Sequence, residues 1–271
     1  MTEIRPNSEN FEKNIPSQGD AEDGLLKASG VTGSATMLSR ALGLIRDIVI
    51  ARVFGASDAT DAFFLANKIP NFMRRLFAEG AFNQAFVPIL SEYRAKRSHI
   101  EVQAMINAVS SSLASLLLLI TIVVIIGAPL IAVPIAYGFT GQPEKFALFV
   151  EMLRITFPYL ILISMTALCS AILNSYGKFA IPAITPALLN ISFISCSFLL
   201  APYMREPALA LAWAVLIAGF AQLFFQLPFL KQINLLPKPS RNRSHEAVSR
   251  IKTLMLPALF GVSVTQINLM L

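Results

Sequence analysis

Apolar residues in this chain come in long blocks, and the polar residues collect between them. Residues 102–143, 155–173, 179–202, 207–230 and 253–271 contain no Asp, Glu, Lys or Arg apart from their margins. A bilayer-crossing helix needs about 20 mostly apolar residues. The 102–143 block exceeds one span, so a helix is expected from about Met105 to Gly127, then a return bent at Pro129 and Pro134. Each of the next three blocks predicts one helix, and the last begins another. Upstream, Leu25 to about Phe54 reads as a first span. Residues from about Ala59 to Leu90 read as a second, interrupted at Pro70. The expected fold class is an all-α polytopic membrane protein with six complete transmembrane helices and part of a seventh.

The second span scores poorly by hydropathy, and the charges in the loops argue for it. With a cytoplasmic amino terminus, the inner loops hold Arg94, Lys96 and Arg97, then Lys178, then Lys231, Lys238, Arg241, Arg243, Arg250 and Lys252. The outer loops hold Lys145 and Arg205, with Arg154 near a boundary. Cytoplasmic loops are enriched in Lys and Arg, and removing the second span would destroy this alternation. The expected organisation is a disordered cytoplasmic tail (1–24), a six-helix lobe (25–236), a basic cytoplasmic loop (237–252) and the start of a seventh helix (253–271). The apolar end "NLML" points to truncation within that helix.

Composition agrees with the block pattern: of 271 residues, 55% are hydrophobic and 14% charged, against roughly a quarter charged in soluble domains. The net charge of +6 lies in loops between spans rather than on one folded basic face, so nucleic acid is not an expected partner. Cys169 and Cys196 sit within apolar blocks and read as small hydrophobes. His99 and His245 lie in polar loops far from any cysteine cluster. There is no Gly-rich phosphate loop, nucleophile elbow or metal-ligand spacing, so neither enzymatic activity nor a cofactor is expected.

The exceptional feature is charge inside the first two spans. "SRALGLIRDIVIARVFG" contains Arg40, Arg46, Asp47 and Arg52, and the second span contains Asp61, Lys68, Arg74, Arg75 and Glu79. A charge at mid-bilayer costs about 2.5–3.5 kcal/mol on insertion scales, so such residues line a wet cavity, pair, or bind a charged ligand. At 100° per residue, Arg40 and Asp47 share a face, whereas Arg46 and Arg52 point elsewhere. Asp61, Lys68 and Arg75 recur every seven residues, and Glu79 is placed to pair with Arg75. One reading is an ion-pair network joining two helices. The other is a cationic cavity, whose arginine forks suit phosphate or pyrophosphate. Apolar walls beside it would suit a lipid tail.

The stretch "SRALGLIRDIVIARVFGASDATDAFFLANKIPNFMRRLFAEGAFNQAFVPILSEY" resembles the amino-terminal region of the MurJ (MviN) family, and "ITFPYLILISMTALCSAILNSYGKFAIPAITPALLNIS", "LALAWAV" and "GVSVTQINL" extend the likeness over residues 25–271. These are lipid II flippases of the multidrug/oligosaccharidyl-lipid/polysaccharide transporter superfamily. The resemblance implies a bacterial inner-membrane protein of fourteen helices, with two six-helix lobes around a central cavity. It implies alternating-access transport of an undecaprenyl-pyrophosphate-linked peptidoglycan precursor, with lipid II and membrane lipid as partners. It implies substrate-binding roles for Arg40, Arg46 and Arg74, with Ser39 beside the first. Supporting or coupling roles fall to Asp47, Asp61 and Glu79, with Lys68 and Arg75 on the same stripe. The family's further cavity arginine, in or just after the seventh helix, lies beyond this chain, and the missing carboxy-terminal lobe is the expected partner. Export of another lipid-linked glycan or amphipathic drug, and a non-transporting membrane fragment, are the alternatives.

Overall fold

The computed structural model describes residues 18–240 and 245–268. The first helix, α1, spans Gln18–Phe54 and so begins inside the segment expected to be a tail. No proline lies between Pro16 and Pro70, and α1 stops only at Gly55, whose φ of +60° is the left-handed conformation that ends helices. The earlier part of the expected tail, 1–17, lies outside the described residues.

Ser57 opens α2 (Asp58–Met73) by accepting the Thr60 N–H on its Oγ at 3.2 Å. Pro70 was the expected break, yet it is buried within α2 and the helix continues past it. A proline inside a helix forfeits one backbone bond, and packing around Pro70 and Ala66 retains the helical course. The backbone changes instead at Arg74–Ala81, which winds as a wider π-type turn. Such turns recur at functional sites. From there α3 runs over Phe82–Lys96.

Ser98 and Glu101 form a reciprocal capping box at the start of α4 (His99–Ile135). Contrary to expectation, α4 does not end at Gly127 but passes Pro129 and Pro134. Pro129 lacks the N–H that would bond the Ile125 carbonyl, and Arg154 Nε donates to that carbonyl at 3.2 Å. A long side chain from the next helix thus takes over the missing bond.

α5 (Pro143–Thr156) and α6 (Tyr159–Ser175) follow almost without interruption. The sequence window starting near Ile155 is therefore the second half of a longer segment. Glu144, Lys145, Glu151 and Arg154 lower its hydropathy without breaking the helix. α7 (Ala180–Leu199), α8 (Leu209–Gln232) and α9 (Glu246–Asn268) complete the described chain. α9 starts within the expected basic loop, where the Ala247 N–H donates to His245 Nδ1 at 3.2 Å.

Among the described residues, four stretches are long and apolar enough to cross a membrane: His99–Ile135, Pro143–Ser175, Ala180–Tyr203 and Leu209–Gln232. α1 and α2 are helical but fall outside that set: α1 carries Arg40, Arg46, Asp47 and Arg52, and α2 has only 16 residues. The outward face of α4 exposes Leu119, Ile126 and Leu130, as a lipid-facing surface requires. The interior packs α1 against α7, α7 against α8, α8 against α6, and α2 against α5. Gly219 of α8 permits its close approach to α6: a Cβ there would lie 2.8 Å from Tyr159 Cδ2 and 3.0 Å from Leu162 Cβ. At the loop end, α9 packs on α3 and the wide turn, and Arg250 donates to Glu92 Oε2 at 2.7 Å. That hydrogen bond and charge hold the Glu92 carboxyl below its ordinary pKa.

Candidate functional site

α1 meets α7 along much of its length, and at their contact a buried asparagine, Asn190, joins the two helices. Its Nδ2 donates to the Ser39 carbonyl at 2.9 Å, and its Oδ1 accepts from Arg46 NH1 at 3.0 Å. The same guanidinium donates through Nε and NH2 to Asp47 Oδ1, at 2.8 and 2.6 Å. Its carbon lies 5.8 Å from the centroid of the Phe193 ring. Arg46 is thus held from three sides with 28% of its side chain accessible, while Asp47 is 63% accessible.

This clamp forms one wall of a cavity of about 480 Å3. α2 supplies the opposite wall with Lys68, and Arg74 and Arg75 enter from the start of the wide turn. Phe63, Phe64, Phe72, Tyr159 and Phe193 provide apolar surface between the charged groups. Asn71 Oδ1 accepts from Arg74 Nε at 3.4 Å. Four cations and one carboxylate therefore surround a single space, an excess of positive charge that favours an anion. Arg46 and Arg74 present planar donor forks suited to phosphate oxygens, and Lys68 adds a compact ammonium.

The fold divides the residues singled out in the sequence. Arg46, Asp47, Lys68, Arg74 and Arg75 come together. Arg40 is exposed and is not among the residues lining this cavity, and Ser39 contributes its backbone carbonyl to Asn190. Arg40 and Asp47 share a helical face by spacing, but the ion pair that forms is between Asp47 and Arg46, whose spacing points it elsewhere. Arg46 is long enough to fold back onto its neighbour Asp47, which the helical wheel ignores.

Asp61 does not line the cavity: it lies 3.7 Å from Lys145 of α5, which also donates to Asp58 at 2.7 Å. Asp61 and Arg75 are fourteen residues apart, about 21 Å of helix, so their common face reaches beyond one cavity. The Glu79 side chain lies outside the described residues, and so does its expected pairing with Arg75.

Asn190 was missed by the sequence reading. A lone amide in an apolar helix, as in "PALLNIS", is the signal that could have found it, because such groups bond across membrane helices.

Fold and cavity together define the class: a polytopic α-helical membrane protein whose charged inner helices surround an anion-favouring site. Comparison with known proteins narrows this. The family model described as "Lipid II flippase MurJ" matches residues 50–271. The lipid II flippase MurJ of Burkholderia cenocepacia is 44% identical over 251 residues, covering 91% of this chain and 49% of the relative. The probable lipid II flippase MurJ of Haemophilus influenzae is 47% identical over 243 residues, covering 87% and 48%. A solved structure, lipid II flippase MurJ in an inward closed conformation, superposes with a TM-score of 0.71 at 30% identity, covering 88% of this chain and 48% of that one. The chain belongs to the MurJ family. It spans about half the length of the curated relatives it matches.

Proposed function

We propose that this chain forms the amino-terminal lobe of a lipid II flippase, which carries an undecaprenyl-pyrophosphate-linked peptidoglycan precursor from the inner to the outer leaflet of a bacterial cytoplasmic membrane. The observation that carries this reading is the cavity where Arg46, Lys68, Arg74 and Arg75 converge beside aromatic walls. A pyrophosphate brings several acceptor oxygens and at least two negative charges, and converging guanidinium and ammonium groups satisfy both. In this reading Arg46 and Arg74 grip the pyrophosphate, Lys68 and Arg75 supply charge, and Asp47 and Asn190 hold Arg46 in place. Ser39 and Arg40 contribute by family resemblance, as substrate contacts made in another state of the transport cycle. Asp61 and Glu79 serve as supporting or coupling acids.

The amino terminus is cytoplasmic, in keeping with the basic loops at Arg94–Arg97, Lys178 and Lys231–Lys252. Transport by alternating access requires a second lobe to close the other side of the site, so the activity belongs to the full-length protein. The deciding experiment is lipid II translocation by that protein in reconstituted vesicles. Movement of lipid II, lost on Arg46→Ala with membrane insertion retained, supports the proposal. Movement of a different lipid-linked glycan but not lipid II would overturn it.

A further inference from the structure

A second cavity, of about 770 Å3, adjoins the cationic one among α3, α6, α7 and α8. The two share Arg74, Tyr159 and Leu189 in their walls, so Arg74 stands at their junction. Past that junction the chemistry changes. Asn83, Ser91, Ser170, Asn174 and Gln222 line the second cavity with neutral hydrogen-bonding groups. Its other charge, Arg94, is engaged by the Ser175 carbonyl and lies 4.2 Å over the Tyr176 ring.

The Asn83 side-chain oxygen, Oδ1, is buried with no hydrogen-bond partner among the described residues. Buried acceptors in native proteins are nearly always satisfied, so this one calls for a donor from a ligand or water. The cavity volume falls within the range of about 300–1,000 Å3 usual for small-molecule sites. Val87, Ile163 and Leu189 give the same cavity apolar walls that suit the faces of a sugar ring; a bare lipid tail would leave the Asn83 acceptor unpaired, and a phosphate has its cations next door.

Resting on the flippase reading above, we infer that this cavity is the subsite for the uncharged, hydroxyl- and amide-rich sugar unit bonded to the pyrophosphate. Arg74 then marks the boundary between the charged and neutral parts of the ligand. Asn83 and Asn174 are its specificity-determining residues, reading the head rather than the anchor.

The test measures equilibrium binding of two probes, lipid II and undecaprenyl pyrophosphate, to the full-length protein in nanodiscs. Asn83→Leu and Asn174→Leu, made separately, conserve volume and remove no side-chain hydrogen bond described above. Each is expected to weaken lipid II binding roughly fivefold, the scale of one lost hydrogen bond, and to leave undecaprenyl pyrophosphate binding unchanged. Unchanged lipid II binding in both variants, or equal losses for both probes, overturns the inference. Equal affinity of the unsubstituted protein for the two probes also overturns it and leaves the pyrophosphate site standing. Failure to bind either probe overturns the flippase reading itself.

Discussion

Replacing Asn190 by leucine tests whether the Arg46 clamp prepares the anion site. The substitution keeps the volume of a buried side chain and removes both of its hydrogen bonds, at 2.9 Å to the Ser39 carbonyl and 3.0 Å from Arg46. Hydrogen bonds to charged groups are worth about 1.5–3 kcal/mol net in soluble proteins. Interhelical bonds in a membrane bundle average about 0.6 kcal/mol, with a maximum of about 1.7. The pair should therefore contribute about 1–3 kcal/mol to stability. Arg46 would retain Asp47 as a partner, so its position loosens without its charge being lost. A looser guanidinium must be ordered by the ligand, and a penalty of about 1.4 kcal/mol corresponds to a tenfold weaker Kd. The assay is undecaprenyl pyrophosphate binding to the full-length protein, arranged as a double-mutant cycle with Arg46→Leu. Asn190→Leu should weaken binding about tenfold with Arg46 present and have little effect without it. Equal losses in the two backgrounds would refute the idea that Asn190 acts through Arg46.

Three further expectations follow from the packing and loop contacts. Gly219→Val places atoms within 3 Å of Tyr159 and Leu162, so it should destabilise the bundle by about 1–3 kcal/mol, read as a lower thermal midpoint in detergent. Arg154→Met should destabilise by about 1–3 kcal/mol, because the Ile125 carbonyl loses its charged donor. In Pro129→Ala the restored backbone N–H should make Arg154→Met cheaper, and additive thermal shifts would contradict this. Glu92 has a folded pKa below the ordinary value of 4.5, chiefly through its hydrogen bond from Arg250. The stabilisation is therefore complete above that ordinary value and is lost as pH falls through the lower folded value. Hydrogen exchange in α9 should accelerate over that acidic window, and Glu92→Gln should remove the pH dependence.

Much of this molecule was legible in one dimension because the bilayer imposes a length and an apolar requirement that block patterns report directly. The blocks within α4, α6, α7 and α8 needed no tertiary information. Boundaries fared less well where a charge interrupts hydropathy without interrupting a helix, as Glu151 and Arg154 do in α5. Pro129 and Pro70 misled for a related reason: a proline removes a donor locally, but whether the helix stops depends on what supplies the lost bond or packs the ring.

The candidate site shows the same division. The cost of burying charge was enough to single out the charged residues from Arg40 to Glu79, since it depends only on residue type and depth, whereas Ser39 came from the family resemblance. Which charges converge was decided by the tertiary structure. Helical spacing put Asp61 with Lys68 and Arg75, but α5 brings Lys145 to Asp61 and leaves the other two at the cavity. Spacing likewise separated Arg46 from Asp47, whereas Asn190, 144 residues from Arg46, fixes that guanidinium against its neighbour. Periodicity describes one helix at a time. Partners across helices are set by how the helices pack, and that information is absent from any single segment.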